Sequence, residues 1–223
     1  MLLDAIAHEF KTPLTSIKAA STSILGERSL PAHVLELETI IDEEADRMNL
    51  LVTEAVRMSS IDAGKVRLHR TPVDIAELLR CVLAQFATAG DGRELMLHAG
   101  GDLPRAWADR DLACMAIRQL IDNSLKYSPP GTPIDVSADC TGDRAVIHVR
   151  DKGSGIPERE REHIFEKFYR RQGPKSQAPG TGLGLYIARE IVRTHGGDIW
   201  IEGEPGADTE FCVSLPLAEK GSG

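Results

Sequence analysis

The spacing of apolar residues changes once along this 223-residue chain, near Asp62-Ala63-Gly64, and that change limits the fold more than any single residue does. Before it, apolar residues fall at 3, 6, 10, 14, 17, 20 and 24, and again at 34, 37, 41, 45, 48, 51 or 52, 55 and 58. Alternating steps of three and four keep one stripe on one side of a helix, so the spacing predicts two helices. Pro13 is expected to kink the first, the polar stretch 27–30 joins them, and Pro31 suits the first turn of the second. One apolar stripe per helix buries too little alone. An antiparallel hairpin is therefore expected to pair with a second copy, giving a homodimeric four-helix bundle.

After residue 64 the period shifts. Segments 74–87, 109–127 and 182–195 read as helices, the last stopped by Gly196-Gly197. Segments 94–99, 133–139, 144–150, 198–203 and 209–215 read as strands, with Thr141-Gly142-Asp143 as a hairpin turn. The fold class is α+β: a helical hairpin over 1–62, then, over 66–218, helices covering one face of a mixed sheet.

With 42% hydrophobic and 27% charged residues the chain lies outside the disordered regime. It has no apolar run near the roughly 18 residues of a membrane span and no signal peptide, so it reads as a soluble cytosolic piece. The net charge is −8, and residues 1–62 carry 11 acidic against 5 basic side chains, which argues against free nucleic-acid binding. Aromatic residues make up only 4%, too few for a base-stacking platform. Cys81, Cys114, Cys140 and Cys212 lie far apart, with no CxxC pair, and read as reduced thiols used for packing.

The chemistry-bearing residues form a series of short patterns. His8 falls on the face of the first helix opposite the apolar seam, with Glu9 beside it and Thr12 one turn on. A carboxylate next to an imidazole can hold it in the tautomer and basicity of a nucleophile. A lone surface His would look the same without those neighbours. On the 109–127 helix, Gln119, Asn123 and Lys126 fall on one stripe. Two readings stand side by side there: a solvated face, or an amide ligand for hydrated Mg²⁺ with an ammonium for phosphate.

Asp151-Lys152-Gly153-Ser154-Gly155-Ile156-Pro157 follows a strand. It reads either as a turn or as a carboxylate for an adenine amine, with Gly153 and Gly155 admitting the base. Gly180-Thr181-Gly182-Leu183-Gly184 opens a helix whose positive end suits a triphosphate. Its spacing is neither the dinucleotide fingerprint nor a P-loop. Between these lies Ile164-Phe165-Glu166-Lys167-Phe168-Tyr169-Arg170, and then 171–179, read as a mobile lid ordered by nucleotide phosphates or as a plain disordered loop.

The segment His8-Glu9-Phe10-Lys11-Thr12-Pro13-Leu14 resembles the phosphoacceptor box of sensor histidine kinases. Asn123-Ser124-Leu125-Lys126-Tyr127 resembles their asparagine box, the Asp151 and Gly180 segments their two glycine boxes, and 164–170 their phenylalanine box. The resemblance covers nearly the whole chain. It implies a dimerisation and phosphotransfer hairpin at 1–62 and an ATP-binding α/β sandwich of the GHKL ATPase type at 66–218. It also implies ATP and Mg²⁺ as cofactors, His8 as phosphoryl acceptor and a response regulator receiver domain as partner. Glu9 would assist deprotonation of His8 and Asn123 would hold Mg²⁺. Lys126 and Arg170 would neutralise phosphate charge, with Tyr127 beside the nucleotide and Asp151 reading adenine. Glu9 and Thr12 also match the pattern used on the phosphorylated regulator by phosphatases. Gln119 departs from the family, which often has asparagine there. With seven residues before His8, the chain is expected to be the cytoplasmic portion of a larger receptor that meets the membrane only through an upstream segment. Two competing readings are a degenerate relative acting as a scaffold, and a protein working chiefly as a phosphatase.

Overall fold

The second stem helix opens on Pro31, whose missing N–H costs nothing in a first turn: its carbonyl accepts from Val34 N–H at 2.9 Å and Leu35 N–H at 3.2 Å. The computed structural model describes residues 14–22, 24, 31, 34–42, 44, 45, 48, 52, 53, 67–86, 93–99, 103–170 and 181–218. The chain divides into two units, Met1–Val66 and Arg67–Gly223. In the first, residues 14–22 and 34–42 are helical. Lys18 Nζ meets Asp42 Oδ2 at 3.0 Å, and Ser21 Oγ donates to the Glu38 carbonyl at 2.9 Å. Partners that fall in number as their mates rise define an antiparallel hairpin. These part-buried polar contacts fix register, and the ion pair contributes about 1 kcal/mol or less. Leu14 and Ala45 are buried, whereas Ile17, Leu37, Ile41 and Met48 of the same seam stand exposed, Leu37 by 57%. Pro13 and the seam residues before it lie outside the described residues.

In the second unit, β1 (Thr71–Val73) is followed by α1 (Ile75–Ala84), β2 (Leu95–Ala99), β3 (Ala106–Ala108), α2 (Arg110–Tyr127), β4 (Ile134–Thr141) and β5 (Arg144–Asp151). Two 3₁₀ turns, Glu158–Glu160 and His163–Phe165, precede α3 (Gly184–Thr194), β6 (Asp198–Glu202) and β7 (Thr209–Pro216). The main sheet has the order β2-β4-β5-β7-β6, with only the β2–β4 pair parallel. β1 and β3 form a separate antiparallel pair.

Register sorts the side chains with a period of two. Val136 pairs with Val149, Ala138 with Ile147, Ile147 with Val213 and Ile201 with Phe211. Those residues are buried on the face that the helices cover. α2 packs Ala116, Ile117, Leu120 and Ile121 there, and α3 packs Ile187, Ala188, Ile191 and Val192. Each large aliphatic side chain so buried contributes about 1.5–3 kcal/mol. Truncating Ile147 at the sheet centre to alanine would cost about 2–5 kcal/mol.

Local signals set the helix ends. Asp74 accepts from Glu77 N–H at 2.9 Å and Asp109 from Leu112 N–H at 3.3 Å, each capping a first turn. His195, buried after α3, accepts Asp109 N–H at 2.9 Å through Nε2, which leaves Nδ1–H to donate to the Ile191 carbonyl at 2.8 Å. Burial holds this imidazole below its usual range and keeps it neutral. The cysteines differ from their expected packing role. Only Cys212 is buried, because Cys81 and Cys140 sit on exposed positions and Cys114 on a half-buried one, all as free thiols.

Candidate functional site

Two glycine loops meet α2, and a third segment packs on one of them. Asn123 is half-buried on this helix and Lys126 is exposed one turn on. Ser124, turned toward the core, has a buried hydroxyl without a hydrogen bond of good geometry; it lies against the carboxyl of Asp151. Asp151 ends β5 at 2% exposure, and its Oδ1 accepts the Gly153 N–H at 2.7 Å. Burial pushes this carboxyl above the usual aspartate range, against the pull of Ser124 and of the Gly153 N–H. Oδ1 is thus engaged by its own loop, and the carboxyl keeps further acceptor capacity for a donor on a ligand. A Cβ on Gly153 would stand 2.6 Å from Asp151 Oδ1 and 3.5 Å from both the Tyr127 carbonyl and Thr209 Oγ1. The carboxyl closes on its own loop at this distance only because Gly153 has no side chain.

The Asp151 loop is braced from behind. Gly155 has φ +63°, and a Cβ there would meet the Glu204 carbonyl at 2.5 Å and Gly206 N at 2.8 Å. Gly206 N–H donates to the Ser154 carbonyl at 2.9 Å. Asp208 closes the bracing loop by accepting Glu204 N–H at 3.1 Å and pairing with Arg150. The hydrogen bond from Arg150 holds the Asp208 carboxyl below its usual range.

The second glycine segment reaches the same helix. Leu183 N–H donates to Thr181 Oγ1 at 3.0 Å, and α3 starts at Gly184 with no side-chain cap. Its first-turn N–H groups and positive end suit an anion. Gly184 lies against Gln119 Oε1 on α2. Gly182, at φ +76°, lets Phe168 and Tyr169 approach, since a Cβ would stand 2.8 Å from Phe168 C and from the Tyr169 carbonyl. Phe168 N–H donates to the Gly182 carbonyl at 3.0 Å. Ile164 and Phe165 anchor this segment in the core, whereas Phe168 is 62% exposed at φ 61°, a left-handed conformation costly for a non-glycine residue. Arg170 is exposed at its end.

Helix α2 therefore joins four of the expected elements: Asn123, Lys126 and Tyr127 on its own surface, Asp151 with Gly153 and Gly155, Thr181 with Gly182, Leu183 and Gly184, and, through Gly182, the segment ending at Arg170. His8, Glu9, Thr12, Gly180 and the expected lid 171–179 lie outside the described residues. Sequence reasoning missed Thr209, Ser124 as a neighbour of Asp151, and the brace at 204–208. A serine on the apolar side of α2 is the one signal that could have flagged Ser124. The donor set fits the expected groups. The amide oxygens of Asn123 and Gln119 are neutral hard donors of the kind Mg²⁺ takes alongside water. The carboxyl of Asp151 above a glycine floor fits a purine amine.

A mixed sheet covered on one face by helices, with its polar stripe, buried carboxyl and two glycine loops gathered on one helix, defines an ATP-binding unit of the GHKL type. Residues 108–219 match the model for the histidine kinase-, DNA gyrase B- and HSP90-like ATPases, and residues 1–64 match the His kinase A phospho-acceptor domain. The chain belongs to the sensor histidine kinases. It is 34% identical over 215 residues to the alginate biosynthesis sensor protein KinB of Pseudomonas aeruginosa, covering 95% of this chain and 36% of that protein. It is 29% identical to the sensor protein SrrB of Staphylococcus aureus, covering 96% and 37%. The chain thus spans little more than a third of these relatives. The crystal structure of full-length ShkA in complex with AMPPNP superposes with a TM-score of 0.81 at 27% identity, over 97% of this chain and 46% of that one. The catalytic domain of the histidine kinase ThkA gives 0.59 at 26% identity, over 67% and 96%.

Proposed function

We propose that this chain is the kinase portion of a two-component sensor: it takes the γ-phosphoryl group of ATP onto His8 and passes it to an aspartate on a response regulator receiver domain. An imidazole nitrogen of His8 attacks γ-phosphorus, the P–N bond forms, the bond to the bridging oxygen breaks, and ADP leaves. The observation that carries this reading is the buried carboxyl of Asp151 above its glycine loop, beside the helix of Asn123. Bound Mg²⁺ would neutralise triphosphate charge, with Asn123 as its protein ligand. Asp151 accepts the adenine amine, Gly153 and Gly155 shape the base cleft, and Tyr127 lies beside the base. Lys126 and Arg170 offset phosphate charge, while Gly180, Thr181, Gly182, Leu183 and Gly184 present the uncapped start of α3 to it. Glu9 orients His8 and takes its proton; with Thr12 it also suits phosphatase action on the regulator.

Residues 1–62 serve as the dimerisation and phosphotransfer stem, and 66–218 as the ATP-binding domain. The exposed stripe Ile17, Leu37, Ile41 and Met48 supports a second copy as the stem's partner. Among the described residues no helix is long and apolar enough to cross a membrane. We place this kinase portion in the cytoplasm.

The test incubates the chain with Mg²⁺ and γ-labelled ATP. Label stable to base and labile to acid is expected, with none on His8→Ala or Asn123→Ala. Label on serine or threonine, or full labelling of His8→Ala, would overturn the assignment.

A further inference from the structure

Two of the four cysteines, 33 residues apart in sequence, stand at facing positions of a helix pair. Arg110 Nη2 lies 3.7 Å from Glu77 Oε1, and Arg118 Nη1 donates to Gln85 Oε1 at 3.4 Å. Both contacts, the second at Gln85 just past the end of α1, join it to α2 with the same offset, 33 residues, so the two helices run parallel and in step here. The same offset carries Cys81 onto Cys114. One turn separates each cysteine from the contact on either side of it, so the pair occupies the middle of the three facing positions. The residues of each helix that enter the core, Leu78, Leu79 and Val82 on α1 and Ala113, Ala116 and Ile117 on α2, lie to the side of these stripes. The seam between the stripes opens to solvent: Cys81 is exposed, Cys114 half-buried, and both are free thiols. The electrostatics agree with the register. The Arg110 guanidinium is raised by its proximity to both cysteines, and Cys81 is near enough to Cys114 to add to the raising of that thiol.

The geometry points to Cys81 and Cys114 as a reversible dithiol–disulfide modification site, closed by a peroxide. Cys81 is the sulfur the oxidant reaches. Its thiolate attacks one peroxide oxygen, the O–O bond breaks, hydroxide leaves, and a sulfenic acid remains; the neighbouring guanidinium offsets the charge developing there. Burial pushes the Cys114 thiol up, so it holds its proton until it attacks. Cys114 sulfur then displaces hydroxyl from the sulfenic sulfur, its proton leaves with that hydroxyl as water, and the S–S bond forms. The peroxide is reduced by two electrons and the dithiol oxidised by two. The bond would tie α1 to the helix that carries Asn123. This assignment does not depend on phosphotransfer.

Brief treatment of the reduced chain with hydrogen peroxide, followed by alkylation and tryptic digestion without reductant, tests it. Cleavage after Arg80, Arg93, Arg110 and Arg118 puts each cysteine alone in its peptide, 81–93 and 111–118. The expected product is those two peptides joined, 2 Da lighter than their sum, with alkylatable thiols in denaturant falling from four to two. Dithiothreitol should restore all four, and the link should vanish in both Cys81→Ser and Cys114→Ser. Both variants replace a sulfur outside the core, and a retained melting temperature verifies their folding. Overoxidation of Cys81 with Cys114 still alkylatable, or a link from either cysteine to Cys140 instead, would overturn the proposal.

Discussion

Asp151→Asn changes one atom of the candidate cleft and separates ligand recognition from folding. The asparagine Oδ1 can still accept the Gly153 N–H that Asp151 accepts at 2.7 Å, so the loop keeps its internal bond. That orientation places an amide NH₂ where Oδ2 was, facing the adenine amine donor to donor. Losing a charge-assisted hydrogen bond costs about 1.5–3 kcal/mol, and leaving a buried donor unpaired costs about 1–3 more. Taken together, about 2.5–6 kcal/mol corresponds to a roughly 60- to 20,000-fold weaker Kd for nucleotide. Stability moves the other way. A carboxyl raised by burial contributes stability that is present below its unfolded value and lost as pH rises through the folded one, so at neutral pH the ionised form is a burden that asparagine removes. Calorimetric titration with ADP at pH 7.5 should show the loss of affinity, while the nucleotide-free Tm stays equal or rises. Undiminished affinity would refute the role of Asp151, and a lowered Tm would refute the account of its burial.

Gly155→Ala forces a side chain into φ +63° and to 2.5 Å from the Glu204 carbonyl. The backbone conformation alone costs about 1–2 kcal/mol, so Tm should fall by about 4 °C or more in differential scanning calorimetry; an unchanged Tm would mean that the brace at 204–208 is absent. His195 is neutral in the fold and free to take a proton once unfolded, so stability is full above the ordinary histidine value of about 6.5 and declines as pH falls toward its lowered folded value. A Tm series from pH 8 to 5 should show this slope, and His195→Gln should flatten it. Ile41→Glu places a carboxylate on the exposed stem stripe and should raise the dimer dissociation constant by about 100-fold or more in sedimentation equilibrium; dimerisation at unaltered strength would move the interface elsewhere.

Elements with a long regular period or a bounded apolar run were legible in the sequence, and those without either were not. The strand 134–141 alternates, 144–151 and 209–216 carry short apolar runs bounded by turn residues, and their expected positions lie within two residues of those observed. β1 and β3 have three residues apiece, Thr-Pro-Val and Ala-Trp-Ala, too few to show alternation. α3 begins at Gly184 rather than 182 because Gly182 takes a positive φ that no helix admits. Strand order is a tertiary property, and nothing local reveals that β2 joins β4 in parallel.

The site follows the same division. Asn123, Asp151 and the glycines stand in short contiguous patterns, so sequence alone could collect them. Thr209 and the loop at 204–208 reach the cleft only through the pairing of Asp151 with Thr209 in the β5–β7 ladder. The same ladder gathers His148, Glu210 and Cys212 on the open face of the sheet, a grouping that no sequence spacing suggests. The cysteines were misread for a related reason. Composition cannot tell a thiol on the flank of a helix from one under it.

Strand β3 has a further consequence. Its residues hold β1 on one side, with Thr71 opposite Ala108, and the tail on the other, where Leu217 bridges Ala106 and Ala218 N–H donates to the Arg105 carbonyl at 2.7 Å. The two ends of the folded unit are thus clasped by one short ribbon, on neighbouring tracks. Joining them by a brief linker and reopening the chain at the Thr141-Gly142-Asp143 turn should yield a circular permutant that still folds, a cassette whose ends can be relocated without disturbing the cleft.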